Sequence, residues 1–229
     1  MKQNINEIKY KKKQSPETII YLSAGLLIAM IFITAFNIFQ IKQIVGEGSS
    51  FGFSADSKIA VNNVLPNGIP RIYGTELGVS FDDVSITDPQ KADIIIKKVA
   101  ALDNRIQLTS TEMQRYIPIA SQISCEYCCG AEALIDRNGR AACGCAHSYA
   151  MRGLAKYLIQ NHPNDFTDDQ ILEEMGKWKT LFFPGALAAK AKVLESEGIE
   201  LNYINLASNK YRDIEKGSAS GSGGMVGGC

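Results

Sequence analysis

The sequence contains no Ser/His/Asp set, no phosphate-binding glycine loop and no paired-carboxylate site. Those absences remove the usual signatures of acyl transfer, nucleotide chemistry and glycoside hydrolysis. No Cys-x-x-Cys-His run occurs, so covalent haem attachment has no acceptor. Neither sign of charge dominates, with 24 Lys and Arg against 24 Asp and Glu. Without a basic patch, nucleic acid is not an expected partner. There is no internal repeat, which sets solenoids aside. An enzyme is not the first expectation.

What the chain does have is sulfur in one place. Five of its six cysteines fall in a 21-residue window, as Cys125, Cys128 and Cys129, then Cys143 and Cys145, with His147 two residues on. Thiolates one and three positions apart can converge on one soft metal ion, or they can pair as disulfides. Between the groups stands Asn138-Gly139, a favoured pair for a tight turn. A hairpin there would bring Cys143 and Cys145 back beside Cys128 and Cys129. The candidate ligands are therefore Cys125, Cys128, Cys129, Cys143, Cys145 and His147.

Zinc would take four of them, Cys125, Cys128, Cys143 and Cys145, or His147 in place of one. Copper(I) suits the same thiolates, with Met151, Met225 and Cys229 as soft auxiliaries. An iron–sulfur cluster ranks behind both. Five clustered cysteines are an odd number for a purely disulfide framework, although Cys229 could pair with the fifth. A thiol–disulfide oxidoreductase is the enzymatic alternative, because Cys125 and Cys128 form a Cys-x-x-Cys. No strand pattern upstream supplies a thioredoxin-like context for it.

The N-terminal region suggests a membrane. Residues 18–39 carry no charge, and 22 residues at about 1.5 Å each reach roughly 33 Å, enough for a hydrocarbon core of about 30 Å. Five lysines precede that run, which by the positive-inside rule leaves the N-terminus in the cytoplasm and the bulk of the chain extracytoplasmic. The alternative is a cleaved signal peptide. The expected organisation is a basic tail at 1–17, a single-pass helix at 18–41, and a stalk at 42–70. An exported domain at 71–216 carries the hairpin at 125–147, and a flexible Gly/Ser tail occupies 217–229.

The exported domain reads as mainly α. Asp88 and Pro89 start a helix whose Ala92, Ile95, Ile96, Val99 and Leu102 share a face. A shorter helix follows Thr109 until Pro118 disturbs it. A third runs over about 146–161, with Gly153 marking close backbone packing and Met151 in the core. Thr167 and Gln170 form a capping box before a stripe that includes Met175, Trp178 and Phe182. Residues 184–197 form a last helix, 199–206 are ambiguous, and His162 is read as surface.

Cys128-Cys129-Gly130 and Cys143-Gly144-Cys145-Ala146-His147, followed by capped helices, resemble the small exported bacterial proteins with a Pro-Cys-Tyr-Cys-Gly-Cys motif. The likeness covers about 60 residues from Cys125 to Pro184 and implies metal binding, without indicating which metal. Here the cysteines are split, the leading proline is absent and there is no lipidated N-terminal cysteine.

Overall fold

The computed structural model describes Met30, residues 63–216 and residues 224–227. All but Met30 belong to one compact unit, Ser54–Cys229. It is built from seven helices among the described residues: α1 (Gly74–Leu77), α2 (Pro89–Arg105), α3 (Ser110–Ala120), α4 (Ala146–Asn161), α5 (Asp168–Phe182), α6 (Pro184–Ser196) and α7 (Tyr203–Ala207).

The central event is the packing of α2 on α4, the most extensive helix pair in the unit. Asp88 caps α2 by accepting the Lys91 amide at 3.0 Å, and Pro89 supplies a preset φ at the first position. The apolar face then buries Ala92, Ile95, Ile96 and Val99. Gly153 of α4 lets the two backbones meet. A Cβ there would lie 2.6 Å from the Val99 carbonyl oxygen and 2.8 Å from the Asp103 nitrogen. α5 lies against α3 and α4, and α7 against α5. Trp178 donates to Tyr73 Oη at 2.8 Å, and that hydroxyl donates to Glu174 at 2.7 Å, so the buried indole is both packed and satisfied.

Local signals explain most helix limits. Thr109 and Thr167 each close a complete capping box, with Glu112 and Gln170. Pro118 does not stop α3, which runs to Ala120. It sits in the last turn, where its missing N–H removes only one bond. His162 is not a surface residue: it is 7% exposed and clamped between Asp165 and Glu76, each at 3.0 Å. Those contacts tie the end of α4 to α1. The Glu76 carboxyl is held below its ordinary range by the Tyr157 hydroxyl first and His162 second.

Two expectations about architecture are corrected. No helix among the described residues is long and apolar enough to cross a membrane. The run at 18–41 lies, Met30 apart, outside the described residues, so the single-pass helix, the membrane as partner and the extracytoplasmic placement lose their support. Nor is there a β-strand among the described residues, and hence no Cys-rich β-hairpin at 125–147. Ile135 and Ala141 form one isolated antiparallel bridge. The physical reason is the Asp136 carboxylate, which accepts from the amides of Asn138 at 2.8 Å and Arg140 at 3.0 Å. Between the two arms the backbone bonds are limited to Asp136 N–H to the Arg140 carbonyl at 2.8 Å and Ala142 N–H to the Leu134 carbonyl at 3.0 Å, too few to make a strand.

The stalk assigned to 42–70 is described only from residue 63 on. There Val64 is buried and Gly68 exchanges hydrogen bonds with Ser80, Phe81 and Asp82. Within the tail assigned to 217–229, residues 224–227 lie against the core, with Val226 2% exposed and its amide donating to the Phe182 carbonyl at 2.9 Å.

Candidate metal centre

The first cysteine group sits in the turn after α3. Ile123 pairs with Ser208, and the Cys125 carbonyl accepts from the amides of Cys128 and Cys129, both at 3.3 Å, which curls the three cysteines around one point. Arg212 holds the outer side of this turn by donating to the carbonyls of Ala131 at 2.9 Å and Gly130 at 3.1 Å. The Asp136 turn, with Gly139 at φ 79°, then returns the chain to Cys143 and Cys145. Arg152 anchors that return by donating to the Cys143 carbonyl at 2.9 Å.

Cys145 is the N-cap of α4, and its sulfur accepts from the Ser148 amide at 3.4 Å. Its sulfur is 3.3 Å from that of Cys125. The helix N-terminus favours negative charge at Cys145. The hydrogen bond from Cys125 is the largest influence and carries the Cys145 thiol down to about 4. Cys125 moves up, through its hydrogen bond with Cys145 first and its burial second. The two sulfurs are joined by one hydrogen bond, and Cys145, at the helix N-terminus, is the better placed of the two to carry negative charge.

His147 stands in the first turn of α4, fully buried between Phe182 and Phe183, with ring centroids 4.7 and 5.0 Å away. Its Nε2 lies 2.7 Å from the Val226 carbonyl oxygen. A carbonyl only accepts, so Nε2 carries the proton and Nδ1 keeps a lone pair. That Nδ1 is buried and makes no hydrogen bond of ordinary geometry, although His147 is one of the contacts that lower the Cys145 thiol.

Two groups of donors result. Cys125, Cys128, Cys145 and His147 offer ligand atoms all within 4.8 Å of one another, and Cys129, Cys143 and Cys145 do the same. Either group could hold a metal ion once its disulfide-bonded sulfurs are reduced. The structure therefore brings together all six candidate residues but divides them differently from the expected quartet. Cys143 stands with Cys129 rather than with Cys125 and Cys128, and these two are joined as a disulfide. Cys128 is also in the disulfide state, while Cys125 and Cys145 are free thiols. Met151 is core, Met225 is 42% exposed, and Cys229 lies outside the described residues.

A buried charge group beside the sulfurs escaped sequence reasoning. The Glu126 side chain, 2% exposed, lies 3.3 Å from Lys179 and 3.7 Å from Lys190, both with fully buried side chains, and 3.8 Å from the more open Arg212. Burial drives the Lys179 ammonium down to about 8, with Glu126 opposing that shift. A signal was present. Lys179 stands four residues after Met175 and three before Phe182, on the apolar stripe, and Lys190 falls in the same way between Leu187 and Leu194. A lysine on an apolar stripe calls for a buried partner.

Comparison with protein-family models, with curated proteins and with solved structures finds no match for this chain.

Proposed function

We propose that the chain is a metal-binding module in which the sulfurs of Cys125, Cys128 and Cys145 and the Nδ1 of His147 hold one soft ion, zinc in the first instance. The observation that carries this reading is the buried His147 Nδ1, beside three sulfurs and without a hydrogen bond of ordinary geometry, with Nε2–H fixed by the Val226 carbonyl. A ligating histidine characteristically gives its other ring proton to a carbonyl or carboxylate, and an orphaned lone pair in the core is otherwise costly. Three sulfurs and one nitrogen, with Cys125, Cys145 and His147 buried and Cys128 half-buried, suit tetrahedral zinc; copper(I) suits the same sulfurs. Zinc with three thiolates would carry one net negative charge. The fully buried Lys179 and Lys190 with Glu126 supply one net positive charge nearby. The resemblance of the 125–184 stretch to Pro-Cys-Tyr-Cys-Gly-Cys proteins points the same way.

A sulfur in a disulfide has no thiolate to give, so the ion enters only when Cys128 is a thiol. The second reading, thiol–disulfide exchange, draws on the lowered Cys145 thiol 3.3 Å from Cys125. Burial weighs against it, since Cys125 is 0% and Cys145 8% exposed, out of reach of an external disulfide.

The test is native mass spectrometry of the full chain, reduced without oxygen and supplied with zinc. The expected result is a retained ion, with affinity lowered at least about tenfold in His147→Ala. A folded, fully reduced chain that retains neither zinc nor copper(I) would overturn the proposal.

A further inference from the structure

Cys145 belongs to both donor groups. It stands with Cys125, Cys128 and His147 on one side and with Cys129 and Cys143 on the other. A thiolate sulfur has more than one lone pair and can bridge two ions. We propose that the reduced protein holds a two-metal centre, in which Cys145 bridges the buried ion and a second soft ion bound by Cys129 and Cys143. This rests on the reading of the first site given above.

The second position is closed in this structure by the Cys129–Cys143 disulfide. Opening it takes two electrons and two protons. A small dithiol reductant supplies both, the S–S bond breaks, two thiols form, and the reductant leaves as its own disulfide. Each of those thiols loses its proton as the ion binds, while Cys145 contributes the sulfur it already shares.

The two arms do not depend on the disulfide for their position. On the Cys129 side, Arg212 grips the carbonyls of Gly130 and Ala131, and the Cys129 amide is bound to the Cys125 carbonyl. On the Cys143 side, the buried Arg152 binds the Cys143 carbonyl while its Nε holds Asp103 at 2.8 Å. The Asp136 turn between them closes on its own carboxylate. Cutting the S–S bond therefore leaves the sulfurs near one another, as a preorganised site requires.

The environment of the second position differs from that of the first. Cys125 and His147 are fully buried, whereas Cys129 is exposed and Cys143 half-buried. Three sulfurs, no nitrogen and a side open to solvent describe a three-coordinate site for copper(I), or a zinc site completed by water. The inner ion would be kept and the outer one exchanged.

The experiment loads the full chain, fully reduced under argon, with copper(I) and separately with zinc, and counts ions by native mass spectrometry. It is repeated in a Cys229→Ser chain so that the sixth thiol cannot supply a ligand. Two ions per chain are expected with at least one of the metals, one ion in Cys129→Ser and in Cys143→Ser, and none in the oxidised chain. X-ray absorption of the two-ion form should show a metal–metal vector that Cys129→Ser removes. A reduced chain that stops at one ion with both metals overturns the two-metal centre and leaves the single site intact. Two ions in Cys129→Ser with an unchanged metal–metal vector overturn it as well. No ion in any form overturns both readings together.

Discussion

The carbonyl oxygen of Val226 faces Nε2 of His147 at 2.7 Å, joining the C-terminal segment to the first turn of α4 across 79 residues of chain. Val226 is buried and its amide is tied to Phe182, so the carbonyl is aimed by two constraints. Gly227, at φ 80°, allows the segment to turn there. Substituting Gly227→Val places a β-branched residue in the left-handed region and a Cβ 2.6 Å from the end of the Ile96 side chain. The segment should undock, and metal affinity should fall about 10–100-fold, the usual effect of losing an outer-shell partner. Nitrogen-15 NMR should show His147 changing from one tautomer to a mixture. An unchanged spectrum would mean that Val226 does not orient the ring.

Arg152 is 1% exposed and donates to four acceptors: Asp103, the Ser148 hydroxyl, the Cys143 carbonyl and, at 3.5 Å, the Leu134 carbonyl. Removing it leaves Asp103 in the core with only Lys156, 2.7 Å away, as a counter-ion. Arg152→Ala should cost about 3–5 kcal/mol, the range for breaking a buried pair from one side. Lysine should not restore it, because an ammonium cannot span the acceptors that the guanidinium fork reaches. Urea unfolding measures this, and a loss under about 1 kcal/mol would contradict the assignment.

Gly153 tests the α2–α4 contact. In an open helix Gly→Ala would add up to about 1 kcal/mol of stability. Here the new methyl would meet the backbone at Val99 and Asp103, which cannot swing aside as a side chain would. Gly153→Ala should instead destabilise by about 1–3 kcal/mol, with a lowered thermal midpoint. A stabilised variant would show that the helices have room to part.

Lys179 gives the chain a pH dependence on the alkaline side. Burial lowers its folded value to about 8 from 10.5, so the folded protein releases this proton first and the unfolded chain binds more protons between those values. Stability from this group should therefore rise as pH increases from about 8 to about 10.5, then level off. Urea titrations across that window with the disulfides intact should show the rise, and Lys179→Met should flatten it. Equal slopes in the two proteins would remove Lys179 as the source.

Helix caps and stripes were legible because they are local. Asp88-Pro89, Thr109 with Glu112, and Thr167 with Gln170 satisfy their own backbone within one turn, whatever packs around them. The gathering of the sulfurs was legible for the same reason, since a short turn must return the chain. The form of that turn was misread. Asn138-Gly139 signals a reversal, but the Asp136 carboxylate takes the Arg140 amide that a β-ladder would have used. His162 was misread because Glu76, its distant partner, is 86 residues away in sequence.

The residues alone thus determined a mainly helical unit and a set of six candidate donors, both products of short-range spacing. Only the tertiary structure decided how the donors divide: Cys143 turned toward Cys129, His147 drawn in with Cys125 and Cys128, and Cys145 standing between. That division depends on α4 offering Cys145 and His147 from its first turn, on two guanidinium groups pinning the loops, and on a carbonyl arriving from residue 226. Distances between side chains far apart in sequence are set by packing, and no spacing rule contains them.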